Sequence, residues 1–162
     1  MQKIPQTRNQ KFHRSPLRYP GGKTFLFPFF DSVIKDNGLE KVTYVEPFAG
    51  GAGAALALLL SGKVNRIVIN DLDKAIYAFW NSAIFDSTRF IRKIKATQVT
   101  IKEWRKQKAI YNDPRASEFD LGFATFFLNR TNTSGILDGG PIGGLKQKSK
   151  YKIDARFNKK TL

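Results

Sequence analysis

A glycine-rich segment and one aspartate have the residue types and spacing needed to hold a nucleoside. Residues 46–53, EPFAGGAG, lie between a predicted buried strand and a predicted helix. Small residues there let the backbone approach a ligand, and the helix that follows presents free N–H groups. Asp71 stands at the end of the next predicted strand, twenty-one residues after Gly50. Because a carboxylate in that place can accept both ribose hydroxyls of an adenosine, the pattern favours a nucleoside-containing cofactor.

Two other interpretations of this segment stay open. A structural tight turn followed by a surface or capping aspartate has the same sequence pattern. A nucleotide-dependent oxidoreductase is a further alternative, but the G-x-G-x-x-G pattern is not met, because Leu56 stands where its third glycine belongs. That class also leaves the charge distribution of the chain unexplained.

A second segment, residues 18–24 with the sequence RYPGGKT, ends like a phosphate-binding loop. The loop motif requires a glycine at position 17, where Leu17 stands, and a preceding strand, where the sequence is basic and polar. We therefore exclude a nucleoside triphosphatase. The alternative is a purely structural role, in which a type II turn at Pro20-Gly21 leads into a helix with a solvated lysine.

The elements that must position these residues form a predicted βαβ unit. Buried strands are expected at 42–45 and 66–69, with a helix over 54–60 between them and a second helix capped by Asp73. Such a unit has parallel strands joined by a right-handed crossover. The carboxyl ends of both strands then meet at one edge, which brings residues 46–53 and Asp71 together.

Helices are also predicted on both sides of this unit. One runs from after Gly22 to about Asp36, one opens with a capping box at 100–103, and one covers 118–129 with a stripe of phenylalanines. The composition shifts near residue 95, where we place a domain boundary. A stretch rich in glycine and proline and a run of lysines follow the last helix.

Positive charge is segregated along the 162 residues, whose formal net charge is +15. Residues 1–23 carry a net +6 and residues 89–162 a net +11, while the middle is nearly neutral. Charge divided in this way favours nucleic acid, because each neutralised phosphate releases condensed counterion. Solvated lysine-rich faces or a non-specific contact with anionic membranes are the alternatives.

Composition excludes several classes of site. The chain has no cysteine, and His13 is its one histidine, so a disulfide framework, a thiol nucleophile, a histidine triad and a multi-histidine metal site are not expected. The longest apolar stretch is too short to span a bilayer. We expect a cytoplasmic protein with no metal and no membrane partner.

Four motifs in order resemble the Dam-like family of adenine-specific DNA methyltransferases. They are YPGGK at 19–23, EPFAGG at 46–51, ND at 70–71 and FLNRT at 127–131. The resemblance implies an α/β fold, with a partial Rossmann-like methyltransferase domain and an inserted or appended helical DNA-recognition domain. On this basis we divide the chain into a basic arm (1–18), a cofactor-binding domain (19–95) and a DNA-recognition region (96–162). It also implies S-adenosylmethionine as cofactor, duplex DNA as substrate and a place in restriction-modification.

The resemblance assigns roles residue by residue. Cofactor contacts fall on Tyr19, Lys23, Phe48, Gly50, Gly51, Gly53 and, at the ribose, Asp71. Nucleic-acid contacts fall on Arg130 and the loop after it, with Asn132, Lys146 and Lys148. The family pattern F-x-G-x-G places glycine at position 52, where this chain has Ala52.

The catalytic Asp-Pro-Pro-Tyr tetrapeptide of that family occurs nowhere in the 162 residues. Asp113-Pro114 is the one Asp-Pro pair, and Arg115 follows it. No residue is therefore assigned to catalysis. We expect the chain to stop before the motif and to be inactive alone. A downstream polypeptide that supplies the catalytic half is one candidate partner. The alternative is a catalytically inactive DNA-binding or regulatory module derived from such an enzyme.

Overall fold

The computed structural model describes residues 15–19 and 21–160. Most of the predicted basic arm, and Pro20 of the predicted type II turn, lie outside the described residues. In chain order, a 3₁₀ turn (Lys23–Leu26) is followed by α1 (Phe27–Asp36), β1 (Thr43–Glu46), α2 (Gly53–Leu60), β2 (Arg66–Ile69), α3 (Lys74–Phe85), α4 (Ser87–Ala96), α5 (Ile101–Tyr111), α6 (Glu118–Thr131) and a second 3₁₀ turn (Thr133–Gly135).

The two strands pair in parallel, as the sequence predicts. Thr43 lies opposite Arg66, and the register runs to Glu46 opposite Ile69. Within the described residues the sheet contains β1 and β2 alone. Because both strands end at one edge, the segment after β1 and the segment after β2 lie side by side.

Side-chain caps start three of the helices. Asp73 accepts a hydrogen bond from the Ala75 N–H at 2.8 Å, which confirms its predicted role at the start of α3. Thr100 accepts from the Glu103 N–H at 3.1 Å. The reciprocal half of the predicted capping box is absent, because the Glu103 carboxylate accepts from the Gln107 amide instead. Ser117 caps α6 in the same way, which the sequence analysis did not predict.

Phenylalanines from α3, α4 and α6 build the main core. The rings of Phe79 and Phe126 stack with centroids 5.9 Å apart, and Phe123 and Phe127 are fully buried. α6 lies so close to α3 that a Cβ added at Gly122 would meet the Ala78 carbonyl oxygen at 2.3 Å. Glycine in the middle of α6 is therefore required by packing.

α4 was missed by the sequence analysis, and its position bears on the predicted domain boundary. It follows α3 after a single residue and buries Phe90 and Ile94. Phe90 packs against Phe79 from one side of residue 95 and Phe123 from the other, at centroid distances of 5.8 and 5.7 Å. One core therefore crosses residue 95. The division into 19–95 and 96–162 stays a prediction about which residues bind cofactor and which bind DNA. None of the described helices is long and apolar enough to cross a bilayer.

Candidate functional site

Asp71 and the glycine turn form a hydrogen-bonded unit at the carboxyl edge of the sheet. The Gly50 N–H donates to Asp71 Oδ2 at 2.7 Å, and the Asp73 N–H donates to Asp71 Oδ1 at 3.1 Å. On the other side, Trp80 Nε1 donates to the Gly50 carbonyl at 2.8 Å. The sequence pattern thus brings Asp71 and the turn together, and the contact between them is direct.

The N-terminal motif lies across this turn. A Cβ at Gly50 would lie 2.8 Å from Tyr19 ring carbons, and one at Gly51 would lie 3.1 Å from the Tyr19 Cβ. A Cβ at Gly53 would lie 2.1 Å from Thr24 Oγ1. These glycines therefore make room for the protein's own N-terminal segment, which the sequence analysis did not foresee.

Ala52 adopts a left-handed backbone conformation, with φ 48° and ψ 33°, and is fully buried. Left-handed backbone costs a non-glycine residue roughly 1–2 kcal/mol. The departure from the F-x-G-x-G pattern therefore falls at a position whose conformation favours glycine, and the alanine retains the turn at some cost in strain.

An ion pair with a buried carboxylate fixes the N-terminal motif to the end of β1. Lys23 Nζ lies 3.0 Å from Glu46 Oε1 and donates to the Phe48 carbonyl at 2.7 Å. Glu46 is 3% exposed, and its Oε2 accepts from the Ala55 N–H at 3.2 Å. The sequence analysis missed Glu46, although a carboxylate at the end of an otherwise apolar strand is a signal that can be read from sequence. The Phe48 side chain, in contrast, is 72% exposed.

An open cavity of about 230 Å³ adjoins Asp71. Its wall is mainly apolar, with Ile69 from β2 and Tyr77, Trp80 and Ile84 from α3. A carboxylate beside a mainly apolar wall offers polar contacts at one end of a ligand and ring contacts at the other. That combination suits the ribose and the base of a nucleoside.

The predicted nucleic-acid residues differ in their surroundings. Lys146 and Lys148 are exposed. Arg130 is half-buried, and its Nη1 donates to the Pro16 carbonyl at 3.3 Å. Burial lowers the pKa of Arg130, and the neighbouring charges of Arg18 and Arg156 lower it further.

Asn132 is fully buried, contrary to the expectation of a direct DNA contact. Its Nδ2 donates to the carbonyls of Ile136 and Leu137 at 2.8 and 3.0 Å, and its Oδ1 accepts from Trp104 Nε1 at 2.7 Å. With its hydrogen-bonding groups engaged in this way, the side chain organises the loop after α6 and does not face solvent.

Asn129 connects the two parts of the site, and the sequence analysis assigned it no role. Its Oδ1 accepts from the Arg18 N–H at 2.7 Å, while its Nδ2 donates to the carbonyls of Arg18 and Gly135 at 3.1 and 2.9 Å. The residue before the N-terminal motif and the loop after α6 are therefore one hydrogen-bonded unit. The asparagine within FLNRT was the available signal.

These features define a small parallel α/β unit packed against helices, with a carboxylate and a mainly apolar cavity at the carboxyl edge of its sheet. A family model described as D12 class N6 adenine-specific DNA methyltransferase matches residues 19–159. The chain belongs to this family, which confirms the resemblance to Dam-like enzymes. Comparison with curated protein sequences finds no match.

Proposed function

We propose that this chain binds S-adenosylmethionine at the carboxyl edge of the sheet and holds duplex DNA for methylation of the adenine amino group. The cofactor would supply the methyl group. Residues 19–95 would bind the cofactor and residues 96–162 the DNA. The observation that carries the proposal is the direct contact of Asp71 with the glycine turn beside an apolar cavity.

The residues present fit an adenosyl cofactor. Each Asp71 oxygen accepts one backbone N–H and keeps a lone pair for a ribose hydroxyl. Tyr77 and Ile84 would contact the base. Lys23 Nζ donates to the Phe48 carbonyl and is paired with Glu46, and a further ammonium hydrogen would reach the methionine carboxylate.

The test uses S-adenosylhomocysteine and an analogue without the ribose hydroxyls, each titrated calorimetrically. Wild type should prefer the hydroxylated compound by at least tenfold, since two charge-assisted hydrogen bonds are at stake. Asp71→Asn should bind more weakly and lose most of that preference. The matched Asp154→Asn, at an exposed site, should behave as wild type.

Loss of affinity alone could reflect a disturbed turn, because Asp71 also holds Gly50. The preference between the two compounds separates ribose contact from turn support. An Asp71→Asn variant that keeps the full preference would show that the carboxylate supports the turn only.

Duplex binding is supported by the net +11 of residues 89–162 and by the exposure of Lys146 and Lys148. If several basic residues reach phosphates, the logarithm of affinity should fall with the logarithm of salt by about 0.9 for each phosphate contacted. An affinity that hardly changes between low and physiological salt would contradict this part of the proposal.

Methyl transfer requires an adenine held outside the stack, with fixed oxygens that accept its amino hydrogens. Asp-Pro-Pro-Tyr, which does this in the family, is absent from these 162 residues. We therefore propose that they transfer no methyl group alone and do so when a polypeptide with that tetrapeptide is added. Incorporation of tritium from labelled S-adenosylmethionine into adenine-rich duplex decides this, since transfer by the chain alone would refute it.

A catalytically inactive DNA-binding module is the second candidate, favoured by the same missing tetrapeptide. Such a module would bind duplex DNA without the ribose-dependent preference for S-adenosylhomocysteine. The calorimetric comparison therefore separates the two functions.

A further inference from the structure

A second open cavity, of about 440 Å³, lies between α4, the second half of α5 and the start of α6, and we refer to it as the α5–α6 cavity. It shares no lining residue with the cavity beside Asp71. Its volume is within the range of about 300–1,000 Å³ that holds small-molecule ligands. The wall is mainly charged and polar, with three cations, two acids and an amide: Lys93, Lys106, Arg115, Asp113, Asp120 and Gln107.

Gln107 brings a buried amide to this wall, and the amide oxygen has no partner. The residue is 1% exposed, and its Nε2 donates to Glu103 Oε1 at 2.6 Å. The reverse orientation of the amide would set its oxygen against the Glu103 carboxylate, so the donor is fixed on that side. Gln107 Oε1 accepts no hydrogen bond from the described residues. Because a buried acceptor without a donor is unfavourable, a ligand with an N–H group would be stabilised here.

Two exposed cations of the same wall keep donors for an anion. Lys93 Nζ is paired with Asp120 Oδ1 at 2.7 Å. Arg115 Nε lies 3.4 Å from Asp113 Oδ1, and neither Nη of Arg115 has an acceptor among the described residues. Lys106 is exposed and takes part in none of the ion pairs of the described chain. The acids are thus already partnered, whereas Lys106 and Arg115 can still bind an anion.

We propose that the α5–α6 cavity binds a free mononucleotide whose base carries an exocyclic amino group. Such a molecule has an N–H donor at one end and an anion at the other. The amino group of adenine, cytosine or guanine would donate to Gln107 Oε1, which thymine cannot do in this way. The phosphate would accept from Lys106 and from the Nη groups of Arg115. This site goes beyond the proposed function and does not depend on it.

The probe is 2′-deoxycytidine 5′-monophosphate, because its sugar lacks one of the two ribose hydroxyls proposed to contact Asp71. Isothermal titration calorimetry compares it with two relatives, one with hydrogen in place of the amino group and one without the phosphate. Wild type should prefer the amino group by about three- to tenfold, the share of one neutral hydrogen bond. It should prefer the phosphate by at least about tenfold, since those hydrogen bonds are charge-assisted.

Two variants assign these preferences to their residues. Gln107→Met removes the amide oxygen at similar volume, so it should lose the preference for the amino group and keep that for the phosphate. Lys106→Met should lose part of the preference for the phosphate and keep that for the amino group. Lys102→Met, an exposed lysine of α5 outside the cavity wall, is the matched control and should keep both. Each preference compares two ligands on one protein, so a general loss of stability does not mimic the result. If Gln107→Met does not fold, the exposed Lys106 still provides the test.

Several outcomes would overturn the inference. A wild type that binds no mononucleotide would show that water alone satisfies Gln107, and equal affinity with and without the amino group would remove the role of its oxygen. A Lys106→Met that keeps the full preference for phosphate would do the same for the anion. Binding lost in Asp71→Asn and kept in the cavity variants would place the nucleotide at the edge of the sheet. A cytidine oligonucleotide that binds where the mononucleotide does not would rule out a free nucleotide. None of these results bears on the S-adenosylhomocysteine titration, so the proposed function is tested separately.

Discussion

The edge of the sheet and the loop after α6 differ in how their charged side chains are held. At the sheet edge, Lys23 is paired with the buried Glu46, and Asp71 accepts two backbone N–H groups. Near the end of α6, Arg18 and Arg130 are fixed by backbone carbonyls and form no ion pair among the described residues. At the sheet edge the cation therefore lies beside an acid, whereas the two arginines do not. This difference suits a small cofactor at one place and a polyanion at the other.

The two regions are nevertheless joined through Asn129, whose loss should have the largest effect. Asn129→Ala removes three hydrogen bonds, two to part-buried backbone groups of Arg18 and one to the buried Gly135 carbonyl. We expect a loss of about 2–3 kcal/mol in the free energy of unfolding, measured by urea titration. Duplex affinity should also fall. Asn65→Ala, at an exposed site, is the control, and similar effects for the two variants would show that the regions are not coupled through Asn129.

Breaking the charge balance at the sheet edge should have the next largest effect. Lys23→Met leaves the carboxylate of Glu46 buried without its cation. A fully buried pair broken in this way costs roughly 3–5 kcal/mol; the lysine side chain is 35% exposed, so we expect about 2 kcal/mol. Lys146→Met should have almost no effect on unfolding. Adding Glu46→Gln to Lys23→Met should recover part of the loss, and no recovery would argue against an uncompensated charge.

Strain in the glycine turn can be measured by replacing alanine with glycine inside the turn and, for comparison, in a regular helix. Ala57→Gly in α2 removes a buried methyl group and helix propensity, a loss of about 1.5–2 kcal/mol. Ala52→Gly removes a buried methyl group too, but relieves the left-handed strain at φ 48°. We therefore expect Ala52→Gly to lie within about 0.5 kcal/mol of wild type, which thermal unfolding would test. Equal losses at the two sites would contradict the strain.

A smaller effect on stability is expected from Asp31, a carboxylate in the N-terminal half that is paired with two lysines. Burial alone would raise the pKa of Asp31, but Lys35 and Lys63, at 2.8 and 3.0 Å, outweigh burial and lower it. Because the folded pKa is the lower one, this stabilisation is complete above the unfolded value of about 3.9 and is lost as pH falls through the folded value. Asp31→Asn should therefore lower the free energy of unfolding at neutral pH by less than about 1 kcal/mol. This difference from wild type should shrink as pH falls through the folded pKa of Asp31. Identical pH profiles of stability for the variant and wild type would show that the pair contributes nothing.

Local signals predicted much of the fold. Short β-branched runs gave β1 and β2, and the cap at Asp73 was read from residue type and position. The register of Asp71 with the glycine turn followed from parallel pairing, because parallel strands end at one edge. α4 was missed although Phe90 and Ile94, at i and i+4, share one helix face among basic residues, which is a signal that can be read from sequence.

Contacts between distant residues could not be read in this way. Arg18 meets Asn129 across 111 residues and Asn132 across 114. Periodicity and spacing carry no information about such separations, so the burial of Asn132 and the contact of Arg18 with the end of α6 emerge only in three dimensions. Glu46 itself stood out in the sequence, but its pairing with Lys23, which belongs to another motif, could not be read in this way.

A crystal structure of the chain with S-adenosylhomocysteine tests the central claim most directly. The adenosine should lie beside β2, with both ribose hydroxyls within hydrogen-bond distance of Asp71 and the base against Tyr77 and Ile84. Gly50 should keep its hydrogen bond to the same carboxylate, since that contact forms without the ligand. Adenosine bound at another place, or a ribose turned away from Asp71, would contradict the account.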